Sequence, residues 1–148
     1  MAMEFHIREA TDADLAPERG LYDTLTNLTT VGSFTHAQAK QWLHEMHAQR
    51  SHLFIAVTND NTIIGCLTLL VERKLIHAGG LVGHIEDVAT RKGYEGKGIG
   101  KALVHAAVAK AKLLGCYKVI LDCNEEKNKV FYEKCGFHKH EICMRIDL

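Results

Sequence analysis

The chain has 148 residues, of which 47% are hydrophobic and 24% are charged. This length predicts one folded domain with a substantial core and excludes global disorder. Lys and Arg (18) balance Asp and Glu (18), which argues against a nonspecific binder of nucleic acid.

We expect no membrane span, because no run of 18 apolar residues occurs. Residues 1–10 lack the apolar region of a signal peptide, and five cysteines without a Cys-x-x-Cys pair favour a reducing, cytoplasmic compartment. The ten histidines are scattered, so no metal site is expected.

The hydrophobic periodicity predicts the order β-α-α-β-β-β-α-β-α-β, a mixed α/β sheet with helices on its faces. A first strand contains Phe5 and Ile7, and a first helix runs from about residue 14 to residue 28, with Pro17 in its first turn. Thr35 and Gln38 predict a capping box at the start of a second helix. Strands are then predicted over 53–58, 62–72 and 81–90, with a turn at 59–61 and a loop at 74–80.

A glycine-rich loop at 93–100 precedes the third predicted helix, which Gly115 is placed to end. An apolar, β-branched run at 117–122 predicts a buried strand. A short helix over 127–135, stopped by Gly136, and a last strand over 137–146 complete the predicted fold.

The glycines at 96, 98 and 100 are the strongest chemical signal in the chain. They leave backbone amides free at a helix N-terminus, where the helix dipole favours a bound anion such as a phosphate. Lys97 and Lys101 lie beside these amides, an unfavourable place for a cation unless an anion is bound. The spacing fits neither a Walker A loop, because Ala102 replaces the hydroxyl residue, nor a Rossmann fingerprint, because position 101 is not glycine. A glycine turn without a ligand is the alternative interpretation.

Residues 83–89 followed by 95–100 resemble the acetyl-CoA site of the GNAT superfamily of N-acetyltransferases, whose motif is Gln/Arg-x-x-Gly-x-Gly/Ala. Glu95 stands where that motif has Gln or Arg. Segments 28–32, 72–77, 115–123 and 131–137 are similar to the eukaryotic glucosamine-6-phosphate N-acetyltransferases. The resemblance covers nearly the whole chain. It implies one N-acetyltransferase domain over 1–148 that transfers acetyl from acetyl-CoA to the amine of glucosamine 6-phosphate, in UDP-N-acetylglucosamine biosynthesis.

The resemblance also implies a set of cofactor contacts, which to the diphosphate are made chiefly by backbone amides. The expected cofactor-binding residues are Val88, Ala89, Thr90, Glu95, Gly96, Lys97, Gly98, Ile99, Gly100, Lys101, Asn128 and Tyr132. The Val88 amide is expected to stabilise the thioester oxygen as it gains charge, and Tyr132 to protonate the departing thiolate. Without the resemblance, Val88 is an ordinary buried residue and Tyr132 a core aromatic.

Three carboxylates near strand ends could hold an ammonium group and accept its proton, namely Glu86, Asp87 and Asp122. On the residues alone, each is equally well a cap or an ion-pair partner. By resemblance, Asp87 and Asp122 hold the sugar, and either Asp122 or Glu86 aids deprotonation of the amine. The resemblance also implies cations and donors for the sugar phosphate, with Thr29 closing the site: Arg73, Lys74, His77, Tyr117, Lys118 and Arg145. Tyr117 and Lys118 are expected to reach the partner's site in a homodimer.

Two other functions remain open for the same fold. One is acetyl transfer to a different amine, such as a peptide N-terminus or an aminoglycoside, and the other is a sensor that binds acyl-CoA without turnover. The cation pairs at 73–74 and 117–118 favour a phosphorylated sugar. An acetyl-cysteine intermediate at Cys123 or Cys135 is disfavoured, because no histidine is tied to either thiol.

Overall fold

A five-stranded mixed sheet forms the centre of the protein in the computed structural model, which describes residues 2–148. The strands lie in chain order: β1 Phe5–Glu9, β2 Ser51–Thr58, β3 Ile63–Arg73, β4 Leu81–Thr90 and β5 Cys116–Ile120. The helices are α1 Leu21–Thr26, α2 His36–Ala48, a short turn α3 Ile76–Gly79, α4 Ile99–Leu113 and α5 Lys129–Lys134. Neighbouring strands are antiparallel except β4 and β5, which are parallel and joined by the α4 crossover.

The two faces of the sheet bury separate halves of the core. Leu67 and Leu69 of β3 pack with Leu103 of α4 on one face. Residues of β2 such as Ile55 and Val57 pack on the other face, with apolar residues of α1 and α2. This division follows from strand geometry, since successive side chains point to opposite faces. Because helices cover both faces, β3 is apolar in nearly every position rather than alternating.

A glycine in β3 fixes how closely α4 approaches the sheet. A Cβ added to Gly65 would lie 2.5 Å from Cγ2 of Ile99 and 3.0 Å from a methyl of Leu103. Only a residue without a side chain therefore fits beneath the first turn of α4. This contact places the N-terminus of α4 directly beside the end of β4.

Several predicted elements are confirmed. β4 has the predicted bounds, and β1, β2 and β3 lie within a few residues of theirs. Both hydrogen bonds of the predicted capping box form, from the Gln38 amide to Thr35 Oγ1 (3.1 Å) and from the Thr35 amide to Gln38 Oε1 (2.8 Å). α4 ends at the left-handed Gly115, which has φ of 84°. Within residues 2–148, no helix has the length and apolar character needed to cross a membrane.

The predicted first helix is wrong over its first half. The chain forms two 3-10 turns there, Asp12–Leu15 and Pro17–Arg19, and only then α1. Ala16 is extended (ψ 132°), because a residue that precedes proline is disfavoured in the helical region. Gly20 is left-handed (φ 92°), which separates the second turn from α1.

The predicted last strand is also wrong, and β5 is not the buried strand that its composition suggests. Residues 137–148 contain no strand. Their apolar side chains are exposed, for example 84% at Ile142 and 90% at Met144. β5 is the edge of the sheet, so Tyr117 and Ile120 are each 38% exposed. Nothing within residues 2–148 covers this edge, so the apolar composition of these segments does not lead to burial.

Candidate active site

A bulge in β4 distorts the strand at the residues expected to bind the thioester. Cys66 of β3 pairs with Ala89, and Thr68 pairs with Glu86, so Asp87 and Val88 together oppose one residue of β3. Asp87 adopts a left-handed conformation with φ of 50°, which aspartate tolerates better than most residues. A bulge of this kind leaves a backbone group unpaired and changes the direction of the side chains beside it.

Among residues 2–148, no strand lies beside the same part of β4 on the β5 side. The parallel pairing of β4 with β5 ends at His84 and Ile120, whereas β4 continues to Thr90. The gap beyond this point is a cavity of about 280 Å³. Its lining joins β4, the segment after β5, and α5, and consists of Leu28, Ile85, Glu86, Asp87, Val88, Asp122, Cys123, Asn124, Asn128 and Tyr132. Six residues predicted from the sequence are therefore neighbours in one cavity.

The N-terminus of α4 lies just beyond the end of β4 and has no side-chain cap. Its N-cap residue is Gly98, which is left-handed (φ 80°), and Gly96 is left-handed as well (φ 73°). A Cβ added at either glycine would meet no atom within 4 Å, so both face open space. The first amides of a helix have no partner within the helix, so a 15-residue helix that begins this way can bind an anion. Gly100 instead makes room for Phe131 of α5, whose ring lies 3.2 Å from an added Cβ.

Tyr132 lies on α5 at the cavity wall and packs edge-on against Phe131, with ring centroids 4.9 Å apart. Burial raises the pKa of Tyr132 to about 12, with smaller contributions from Cys123, Cys135 and Asp122. Its hydroxyl therefore remains protonated at neutral pH and can donate to an anion that forms beside it.

The three carboxylates predicted from the sequence all line the cavity. Burial raises the pKa of Glu86, and the negative charges of Asp122 and Asp87 raise it further. A carboxylate whose pKa lies nearer to neutrality is a better general base than an ordinary one. Of the two residues left open for deprotonation, the electrostatic environment favours Glu86.

The predicted phosphate-binding residues form a separate group at the opposite end of β4. His77 lies in α3 and stacks on Tyr117, with ring centroids 4.2 Å apart, and Lys118 Nζ lies 5.7 Å from the centre of the same ring. Lys74 Nζ donates to Glu72 Oε1 at 2.7 Å. Lys118 pairs with Val82, six residues before Val88, so the group lies roughly 20 Å from the bulge at the usual rise per residue.

The remaining predicted residues lie on exposed segments. Thr29 is exposed beside Leu28, which lines the cavity. The Arg73 guanidinium donates to the carbonyl of Gly79. Arg145 lies in the exposed C-terminal segment, where its Nε donates to Asp147 at 2.8 Å.

The sequence analysis gave no site role to two residues that the structure places at the site, although Leu28 begins one of the segments similar to the family. Leu28 lines the cavity, and its neighbour Asn27 donates a hydrogen bond to Glu95. No local motif marks either residue, because both are brought to β4 by the packing of α1. Across residues 2–148, no group of three or more His, Cys, Asp or Glu side chains is arranged to hold a metal ion.

Comparisons with known proteins agree with this geometry. The family model described as "Acetyltransferase (GNAT) family" matches residues 19–137. A glucosamine 6-phosphate N-acetyltransferase of Arabidopsis thaliana is 37% identical over 147 residues, which is 97% of each chain. One of Trypanosoma brucei brucei is 48% identical over 86 residues, or 58% of each chain. The crystal structure of the Arabidopsis enzyme superposes with a TM-score of 0.90 at 33% identity, over 97% of this chain and 98% of that one. The chain therefore belongs to the acetyltransferase (GNAT) family.

Proposed function

We propose that the protein transfers the acetyl group of acetyl-CoA to the amine of D-glucosamine 6-phosphate, forming N-acetylglucosamine 6-phosphate. One observation carries the proposal: a single cavity combines the bulge at Val88 with Tyr132 and Glu86, beside an uncapped helix N-terminus. These are the oxyanion donor, acid and base that acyl transfer to an amine requires. The names and high coverage of relatives such as the Arabidopsis enzyme support the choice of acceptor.

Acetyl-CoA is the co-substrate in this proposal, and the diphosphate of its coenzyme A moiety is assigned to the amides at the start of α4. Lys97 and Lys101 add positive charge beside those amides. The acyl end then lies along β4 from Thr90 to Val88, next to Asn128 and Tyr132 of the cavity wall. The glycines at 96 and 98 allow the close approach of the phosphates, because no side chain stands in the way.

Acetyl transfer proceeds by direct attack in the ternary complex. Asp87 and Asp122 hold the sugar, and Glu86 accepts a proton from the amine. The neutral amine nitrogen attacks the thioester carbon, while the Val88 amide donates to the oxygen that gains negative charge. As the carbon–sulfur bond breaks, Tyr132 donates its proton to the departing thiolate. As the amide forms, the attacking nitrogen loses its second proton, which restores the Tyr132 hydroxyl. The proton taken up by Glu86 returns to solvent, so charge and atoms balance over one turnover.

The active unit is proposed to be a homodimer with shared sites. Lys74, His77, Tyr117 and Lys118 lie too far from Val88 to act in the same subunit's cavity, so they serve the partner's. Ile142, Met144 and Ile146 occupy alternate positions in a segment without helix or strand and are exposed, and this alternation is the pattern of a strand without its sheet. The outer edge of β5 has unpaired backbone groups that such a strand can fill. We therefore place the C-terminal segment of one copy on the β5 edge of a second copy.

We also place the reaction in the cytoplasm, where the product feeds UDP-N-acetylglucosamine biosynthesis. The exposed thiols of Cys123 and Cys143 suit a reducing compartment.

Arg145, near the C-terminus, is assigned to the sugar phosphate together with Thr29.

An acceptor comparison tests the proposed function. We expect kcat/KM for glucosamine 6-phosphate to exceed that for glucosamine by at least about 100-fold, since each hydrogen bond to a charged group contributes about 1.5–3 kcal/mol. Equal rates with and without the phosphate would exclude the proposed acceptor. Faster turnover of an aminoglycoside or a peptide N-terminus would identify a different acetyltransferase, and coenzyme binding without any turnover would identify a sensor.

A further inference from the structure

The side chain of Asn27 bridges the end of β4 and the loop that precedes α4. Asn27, which caps the C-terminus of α1, donates through Nδ2 to the Thr90 carbonyl at 2.8 Å and to Glu95 Oε1 at 3.1 Å. The other carboxylate oxygen of Glu95, Oε2, accepts from the Gly93 amide at 2.7 Å. Both oxygens of Glu95 are therefore engaged by donors from two different segments.

The residues that follow each end of this bridge belong to the two substrate regions. Gly96, directly after Glu95, begins the run of amides assigned to the coenzyme diphosphate. Leu28, directly after Asn27, lines the cavity that contains Val88. The amides of residues 28 and 29 both donate to the carbonyl of Leu25, at 2.9 and 3.1 Å, so this segment continues from α1 without a free hinge. A continuous set of hydrogen bonds therefore joins the glycine loop to the cavity wall.

The carboxylate of Glu95 is suited to the bridge rather than to the anion. Its own backbone amide and that of Gly93, with a further contribution from Asn27, lower the pKa of Glu95, so it is charged at neutral pH. A negative charge next to a diphosphate site opposes anion binding. The two carboxylate oxygens of Glu95, however, accept from Asn27 and from Gly93 separately, and in glutamine one of these positions would be an NH2 group, which cannot accept.

We propose that the Asn27–Glu95 bridge is a positioning device that couples the two substrate sites. Coenzyme bound to the glycine loop fixes Glu95, and Glu95 through Asn27 holds the segment 28–29 against the acceptor. The inference rests on the proposed function, because it takes coenzyme A and the sugar phosphate as the two ligands. Neither residue touches the reacting atoms, so the bridge acts on affinity, and each ligand raises the affinity of the other by the same factor.

Calorimetry without turnover measures this coupling directly. The Kd of coenzyme A is determined alone and with saturating N-acetylglucosamine 6-phosphate, the two products of the proposed reaction. For the unmodified protein we expect the sugar phosphate to tighten coenzyme binding about fivefold or more. For Asn27→Ala and for Glu95→Gln we expect less than about twofold tightening. The Kd of coenzyme A alone should change by no more than about twofold in Asn27→Ala, and should fall in Glu95→Gln, which removes a negative charge beside the diphosphate site. The loss of coupling in the double variant should be no larger than the loss in either single variant.

Asn59→Ala is the matched control. Its exposed amide donates to Glu4 at 2.8 Å, in the turn between β2 and β3, and its loss should leave the coupling intact. Coupling that persists in Asn27→Ala, or that is absent from the unmodified protein although both ligands bind, would overturn the inference and leave the proposed function standing. Failure of the unmodified protein to bind either product would instead overturn the proposed function itself.

Discussion

At one end of β4, the bulge at Asp87 and Val88, the cavity and the start of α4 are all built within one chain. At the other end, around Leu81, a single chain presents an exposed ring at Tyr117, a neighbouring Lys118 and an uncovered sheet edge. The first end has the donors and acids that we propose for the chemistry, and the second has the cations that we propose for recognition of the acceptor. In the proposed dimer, one chain contains the reaction machinery and a second copy completes the acceptor site.

The largest effect is expected at the glycine loop. Gly98→Val forces a β-branched residue into the left-handed region and covers the amides of α4. Loss of two charge-assisted hydrogen bonds should weaken coenzyme A binding at least about 100-fold in calorimetry. Gly115→Val is the matched control, because Gly115 is left-handed and open at the other end of the same helix. Its coenzyme affinity should stay unchanged, and an equal loss in both variants would mean that strain alone is responsible.

Glu86→Gln should lower kcat/KM about 100-fold, because it removes the general base. Burial and the charges of Asp122 and Asp87 raise the pKa of Glu86, and the base acts only when deprotonated. The kcat/KM of the unmodified protein therefore rises with pH through that raised pKa. Glu86→Gln should lose this rise at acidic pH. Asp122→Asn removes one of the charges that raise the pKa of Glu86, so the rise of kcat/KM should move to lower pH. If the same rise persists in Glu86→Gln, the base is another residue.

Tyr132→Phe should lower kcat about 10- to 100-fold through loss of the thiolate acid. Burial raises the pKa of Tyr132 to about 12, so no alkaline limb from this group is expected below about pH 10. The Kd of coenzyme A should change by less than about twofold, since the hydroxyl acts on the leaving group. Tyr22→Phe, which removes a hydroxyl bonded to the Leu15 carbonyl outside the cavity, serves as the control. Normal turnover in Tyr132→Phe would remove this residue from the mechanism.

At the Leu81 end, Lys118→Ala should raise the KM for glucosamine 6-phosphate about 10-fold and leave coenzyme affinity unchanged. Coexpression with Glu86→Gln then tests whether sites are shared. A mixed dimer contains one site with both normal residues, so its activity should return to about half that of the unmodified dimer, with the normal KM. Mixed dimers that keep the raised KM of Lys118→Ala would show that each subunit builds its site alone, and the two ends of β4 would then not belong to different subunits' sites.

The smallest effect on catalysis is expected at Asp14, which is buried and forms an ion pair with Arg8 of β1. Burial by itself would raise the pKa of Asp14, but hydrogen bonds from Arg8 and Thr11 outweigh it and lower the pKa to about 2. The folded pKa lies below the unfolded value of about 3.9, so this carboxylate stabilises the fold above about pH 4 and less as pH falls towards 2. Asp14→Asn should therefore lower the free energy of unfolding by about 2 kcal/mol at pH 7. Urea titrations that give an equal loss at pH 7 and pH 2 would contradict this.

The parts of the fold that local chemistry determines could be predicted from the sequence. The capping box at Thr35, the strand that ends at Thr90 and the glycine stop at Gly115 each depend on neighbouring residues. The six cavity residues came from the family resemblance, and the fold brings them together as neighbours. Their individual roles remain predictions.

The wrong predictions share a physical cause, which is that competing interactions are not visible in a local pattern. The extended Ala16 before a proline and the left-handed Gly20 interrupt a run that reads as one helix. The apolar residues of β5 and of residues 137–148 predict burial, but many of these side chains are exposed within the part of the chain that the structure describes. Asn27 was missed because its hydrogen bonds reach across the fold to β4 and the glycine loop.

Calorimetric titration with coenzyme A and with pantetheine, which lacks the diphosphate, tests most directly whether the amides from Gly96 to Lys101 bind that diphosphate. The account predicts measurable binding of coenzyme A and binding of pantetheine at least about 100-fold weaker, from the loss of two or more charge-assisted hydrogen bonds. Equal affinity for the two compounds, or no heat with coenzyme A, would contradict it.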